Sequence, residues 1–206
     1  MKFIGVTGGV GAGKSELLQF MEREYPARVV YADQLAHALM EPGTDCYRRI
    51  RSAFAGEDIV SQDGALDAEK LASVIFSDEE KRRKLNGIVH PAVKREALRM
   101  AEEERARGRC RYFILEAALL IEEGYDRLCD ELWYVDAKQE VRRRRLIKSR
   151  GYSDAKIDAI VQSQLSEEDY RRHCSRVIDN SGSLEEAFAQ VRAALQEAAP
   201  QNGRKK

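Results

Sequence analysis

No stretch of the chain approaches the roughly 20 consecutive apolar residues that a membrane span requires, and the opening MKFIGVTGG turns into glycines before a signal-peptide apolar region develops. Neither membrane insertion nor export is expected, and a cytoplasmic location is. Charge of either sign is not in excess, because 35 basic side chains offset 35 acidic ones. Without a whole-chain field to attract DNA, RNA or an anionic membrane, any anion has to be held locally, and no nucleic-acid partner is expected. Cysteine is scarce: Cys46, Cys110, Cys129 and Cys174 lie far apart with no CxxC spacing. That is too little for a disulfide framework and points to reduced thiols. Internal repeats and long low-complexity linkers are also lacking, apart from a short polar tail, Pro200–Lys206, that is expected to fray. What remains is a 206-residue chain with 43% hydrophobic positions, enough to bury a core and suited to one domain rather than two.

Short β-branched or aromatic runs occur at 2–7, 28–32, 111–115, 131–135 and 176–178, each followed within a few residues by a helical pattern. This alternation predicts an α/β fold with a parallel sheet flanked by helices, in which ligands bind at the carboxyl ends of the strands. Residues 34–110 carry no strand pattern. Helical periodicity there covers 34–40, 45–55, 67–76 and 78–107, with a bend or restart expected at Pro91. Residues 138–173 hold three further helical pieces, separated at Gly151–Ser153 and Leu165–Ser166, and such an insertion can act as a mobile cover.

The strongest chemical signal is Gly8-Gly9-Val10-Gly11-Ala12-Gly13-Lys14-Ser15, directly after the strand KFIGVT and opening the helix SELLQFMERE. This is a Walker A phosphate loop: its glycines let successive N–H groups turn inward to phosphate oxygens, Lys14 reaches the β- and γ-phosphates, and the Ser15 hydroxyl can ligate Mg²⁺. The NKxD motif of guanine-specific switches and an LSGGQ-like signature of transporter ATPases are missing. Asp33 follows the second strand, where a carboxylate could take the proton of an attacking hydroxyl or simply cap the helix that begins there. Glu116 closes the third strand, FILE, and could hold Mg²⁺ directly or through water. His90, taken alone, is most simply a structural histidine. Six cations fall between Arg142 and Arg150, and helical rotation sends Arg142 and Arg145 to one face and Arg143 and Arg144 elsewhere.

Taken together these residues resemble the dephospho-CoA kinase family over nearly the whole chain. The resemblance is carried by GVTGGVGAGKS, VYADQLAHALMEPG, AFAGEDIVSQDGALD, KLASVIFSD, LNGIVHPAV, the leucine pair of EAALLIEEGY, and VIDNSG, in that order and spacing. It implies a P-loop kinase with a five-stranded parallel sheet core (1–33, 111–137 and 174–199), a helical substrate-binding insertion (34–110) and a helical lid (138–173). It implies transfer of the ATP γ-phosphate to the ribose 3′-hydroxyl of dephospho-CoA, with Mg²⁺, by a protein expected to be a monomer. Residue by residue, the resemblance assigns catalysis to Asp33 as general base, Lys14 and Arg145. It assigns nucleotide binding to Gly9, Val10, Gly11, Ala12, Gly13, Lys14, Ser15, Arg142 and Asn180, the last beside the adenine. Substrate contacts fall on His90 and Leu119, and metal ligation on Ser15 and Glu116.

This chain departs from the family pattern at four places. Ala118 stands where proline precedes the leucine pair, Ala68 where arginine follows the Gly-x-Leu-Asp turn, and Ser149 and Ile160 where the lid carries arginines. Either the lid chemistry is redistributed among Arg142, Arg145 and Arg150, or the acceptor is another small metabolite such as a nucleotide or nucleoside. A nucleotide-binding protein without transfer chemistry is the remaining alternative, and the presence of Lys14, Ser15 and Asp33 together argues against it.

Overall fold

The computed structural model describes residues 1–76 and 78–198, so the expected fraying of Pro200–Lys206 lies outside the described residues. Five strands, β1 (Lys2–Thr7), β2 (Ala27–Tyr31), β3 (Tyr112–Glu116), β4 (Glu131–Asp136) and β5 (Arg176–Asp179), form a parallel sheet in the order β2-β3-β1-β4-β5. The near-continuous apolar runs FIGV, FILE and LWYV are what a parallel sheet covered on both faces demands. Ile4, Phe113, Ile114, Leu115 and Trp133 are accordingly almost completely buried. β1 pairs with β3 and with β4 so that Val6 lies opposite both Glu116 and Trp133, which aligns the carboxyl ends of the three central strands. Against the sheet pack α1 (Lys14–Glu24), with Leu17, Leu18, Phe20 and Met21 facing inward, and α9 (Leu184–Ala198), whose Phe188 ring stacks on Phe20 at 4.2 Å.

Between β4 and β5 run α6 (Gln139–Arg150), α7 (Asp154–Gln162) and α8 (Glu167–His173), breaking at the two places the sequence indicated. Gly151 ends α6 at φ 62°, a left-handed conformation natural to glycine, and Ser153 and Ser166 cap the next two helices by accepting from Lys156 and Asp169 N–H groups. α8 is tied to the sheet: the Tyr170 ring stacks on Tyr134 at 4.6 Å, and Arg171 bonds the Asp136 carboxylate at 2.8 Å.

The chain divides into two compact units, one made of Met1–Val30 with the described residues from Glu103 on, the other of Tyr31–Glu102. The second unit holds α2 (Ala32–Leu39), α3 (Asp45–Ala53), α4 (Ala68–Phe76) and most of α5 (Glu79–Arg107), around a core of Cys46, Ile50, Phe54, Ile59, Leu85 and Val89. α5 runs unbroken through Pro91, against the expected restart. Pro91 and Gly87, whose carbonyl loses its donor to the proline, both lie on the exposed side of the helix, where water can take that carbonyl. Among the described residues no helix is long and apolar enough to cross a membrane.

Candidate active site

The loop between β1 and α1 bends through three glycines with positive φ, Gly8, Gly11 and Gly13. Gly13 is also the N-cap of α1 and provides no side chain to occupy the first amides of that helix, unlike Thr44, Ser153 and Ser166 at the starts of α3, α7 and α8. The helix N-terminus therefore presents its donors to an anion. Lys14 Nζ is anchored by the Gly8 carbonyl at 2.7 Å and by Glu116 Oε1 at 3.4 Å. Glu116 thus reaches the loop from the carboxyl end of the neighbouring strand. Ser15 is exposed in the first turn of α1.

Two arginines from α6 close over the same loop. Arg142 Nε donates to the Val10 carbonyl at 2.9 Å while a terminal nitrogen donates to Gln164 Oε1 at 2.5 Å, and a Cβ at Gly9 would run into its guanidinium. Arg145 donates to Ala12 O at 3.2 Å and to Asn180 O at 2.9 Å. Arg143 turns away to Asp154 and Asp158 on α7, and Arg144 is exposed, the division that helical rotation predicts. Arg150 stands 5.8 Å from the Tyr152 ring, and Ser149 Oγ bonds back to Arg145 O, so neither faces the loop. The cations gathered at the loop are Lys14, Arg142 and Arg145, with Glu116 as the counter-charge beside Lys14.

Asn180, 1% exposed, completes this arrangement from the end of β5. Its Nδ2 donates to Ala12 O at 2.7 Å, which fixes the amide orientation and leaves Oδ1 buried without a partner, alone in this among the buried side-chain polar atoms described. A buried acceptor left unsatisfied loses about 1–3 kcal/mol, so a ligand N–H at this position fits the site. The oxygen donors Ser15 and Glu116 suit Mg²⁺, which takes one or two protein ligands and completes its shell from phosphates and water, and no group of three or more His, Cys, Asp or Glu that would make a richer protein cage occurs among the described residues.

The remaining predicted residues are distributed as follows. Leu119 is 43% exposed in the turn after β3 while its neighbour Leu120 is fully buried, so the leucine pair divides between surface and core. Thr7 Oγ1 donates to Ala118 O at 3.3 Å, joining that turn to the strand that carries the phosphate loop. Asp33 and His90 belong to the second unit. Asp33 sits in the first turn of α2, whose N-cap is Tyr31, so it is not the cap; it is exposed and makes no hydrogen bond or ion pair with a described residue. His90 is half-buried on α5, next to the apolar Val89 and Ala92. Sequence reasoning missed Gln164 as a partner of Arg142, and it missed Asp136, which accepts from Tyr134 Oη at 3.0 Å as well as from Arg171. Burial pushes the Tyr134 hydroxyl well above its usual range, with the Asp136 charge adding to it, so Tyr134 stays a neutral donor.

A doubly flanked parallel sheet, a phosphate loop opening onto an uncapped helix, and cations converging on that loop define a P-loop phosphotransferase. The chain belongs to the dephospho-CoA kinase family, whose sequence model matches residues 2–186. A dephospho-CoA kinase of Symbiobacterium thermophilum is 41% identical over 194 residues, covering 94% of this chain and 80% of that protein. One of Aquifex aeolicus is 39% identical over 197 residues, covering 96% and 97%. Among solved structures, a Thermus thermophilus protein matches with a TM-score of 0.77 at 31% identity, over 97% of this chain and 98% of its own. The departures at Ala68, Ala118, Ser149 and Ile160 therefore stand inside the family.

Proposed function

We propose that the protein transfers the γ-phosphate of ATP to the ribose 3′-hydroxyl of dephospho-CoA, giving coenzyme A and ADP. The observation that carries the reading is the convergence of Lys14, Arg142, Arg145 and Asn180 on the loop Gly8–Gly13. Loop amides and the amino end of α1 hold the β- and γ-phosphates, and the two arginines supply positive charge where negative charge spreads over the transferring group. The orphaned Asn180 Oδ1 accepts from the adenine amino group, which makes guanine, with a carbonyl in that place, the poorer base. Mg²⁺, held through the Ser15 hydroxyl and the Glu116 carboxylate, neutralises phosphate charge when bound.

On the acceptor side Asp33 takes the proton as the 3′-oxygen forms its bond to the γ-phosphorus and the bond from that phosphorus to the departing ADP oxygen breaks. An exposed carboxylate that caps no helix and pairs with no described residue supports this role. His90, in the same unit, and Leu119, exposed at the carboxyl end of β3, contact the acceptor. Replacement Asp33→Asn removes the base and no phosphate contact. It should leave the ATP dissociation constant unchanged while lowering kcat by roughly 10²–10⁴. Titration calorimetry beside a steady-state assay checks this, and parallel losses in ATP binding and turnover would refute the base role.

A further inference from the structure

Asp33 and His37 on α2 and Met40 at its C-cap stand at i, i+4 and i+7, a strip that at about 100° per residue lies within roughly 60°. Met40 also packs, with Leu35, Ala36 and Leu39, on the core around Ile50. Along the end of this strip, between α2 and α4, lies a cavity of about 260 Å³ lined by His37 and Glu41 beside the apolar Met40, Pro42, Leu66, Leu71 and Ile75. Two alanines on successive turns of α4, Ala68 and Ala72, line it and are exposed. It is smaller than the ~300–1,000 Å³ of sites that enclose a whole ligand, so it suits an apolar fragment of a larger one.

We propose that this cavity seats the branched aliphatic segment of the acceptor's pantetheine arm, the quaternary carbon with its two methyl groups; the assignment rests on dephospho-CoA being the acceptor and on Asp33 facing its 3′-hydroxyl. The spacing agrees. Asp33 and Met40 are about 10 Å apart along the helix axis at ~1.5 Å per residue. Ten covalent bonds join the 3′-oxygen to the quaternary carbon through the 5′-diphosphate, and an extended path of that length covers roughly 12 Å. The chemistry agrees as well, because two methyl groups need aliphatic walls and no hydrogen-bond partners. Adenine fits worse: it is joined to the ribose only a few bonds from the 3′-oxygen, closer than the cavity lies to Asp33, and its polar edge would meet mostly aliphatic wall. His37, between Asp33 and Met40 on the strip and itself on the cavity wall, can donate to the diphosphate where it meets the cavity.

The test fills the cavity from an exposed position with Ala72→Phe and, independently, charges it with Ala68→Glu. Each variant is assayed with dephospho-CoA and with the methyl ester of adenosine 5′-diphosphate, which keeps adenine, ribose and diphosphate but ends before the quaternary carbon; where the ester turns over too slowly it is measured as a competitive inhibitor. Thermal melting checks folding. The expected result is a tenfold or greater fall in kcat/KM for dephospho-CoA, borne mainly by KM, and a collapse of the wild-type preference for dephospho-CoA over the ester. Equal losses with both acceptors, or no loss with either in folded variants, would overturn the assignment. Failure of the wild-type protein to phosphorylate dephospho-CoA would instead overturn the functional reading on which it rests.

Discussion

Arg142 is held from two directions, by the Val10 carbonyl of the phosphate loop and by Gln164 beyond α7. Because Gln164 acts on the loop only through Arg142, the two residues form one unit and their effects should not add. Arg142→Ala should lower kcat/KM for ATP by about 10²-fold, in the range of a lost charge-stabilising donor. Gln164→Ala should cause a smaller loss, and the double variant should be no worse than Arg142→Ala alone; steady-state kinetics on the four proteins decides it, and multiplicative losses would show that the contact does not matter. Asn180→Ala should narrow the preference for ATP over GTP, measured as a ratio of kcat/KM values. The loop itself was legible because its eight residues are contiguous and each has a local conformational or chemical reason. The partnership of Arg142 with Gln164, or of Asn180 with Ala12, was not: these pairs are 22 and 168 residues apart and carry no local signal. Burial pushes the Cys129 and Cys174 thiols up to about 12, so neither is a reactive nucleophile at neutral pH.

At the scale of elements, strands and helices were readable to within a residue or two, since apolar runs and glycine or serine boundaries are local properties. α2 shows where this fails. It begins at Ala32, after an N-cap, Tyr31, that makes no side-chain cap bond. No capping residue marks that start, so Asp33 was expected at the strand end and is found inside the helix. α5 shows the opposite case, a proline that signals a break where an exposed Gly87 carbonyl makes continuity tolerable. Further along α5, Glu104 is buried against Arg28 of β2 and also bonds Arg107 at 3.1 Å. The Arg28 hydrogen bond holds the Glu104 carboxyl below the usual range, partly opposed by burial and reinforced by the charges of Arg28 and Arg107. A carboxyl depressed in the folded state adds stability above its unfolded pKa and loses it as pH falls through the folded value. The stability advantage of the wild-type protein over Glu104→Gln should therefore be full at pH 7 and shrink as pH drops below about 4. Urea titrations at several pH values test this, and a difference that stays constant with pH would contradict it.

At the scale of the whole molecule, the α/β class and the strand-free helical stretch after the second strand could be foreseen, because periodicity alone separates the two kinds of segment. The strand order β2-β3-β1-β4-β5 could not, because the central strand β1 pairs with segments more than a hundred residues away. Ligand linkage also belongs to this scale. If the phosphate loop binds ATP only in the folded protein, Mg-ATP at 100 times its dissociation constant should stabilise the fold by about 2.7 kcal/mol and raise the melting temperature accordingly. Lys14→Ala should remove most of that shift at the same ATP concentration while leaving the melting temperature of the protein alone little changed; an undiminished shift would place the nucleotide elsewhere.

The most direct measurement follows ADP formation from Mg-ATP with dephospho-CoA and with a panel of nucleoside, nucleotide and sugar acceptors, and identifies the position of the phosphate on the product. The expected result is ADP formation dependent on dephospho-CoA, with the new phosphate on the ribose 3′-oxygen. Turnover with a different acceptor and none with dephospho-CoA would contradict the account.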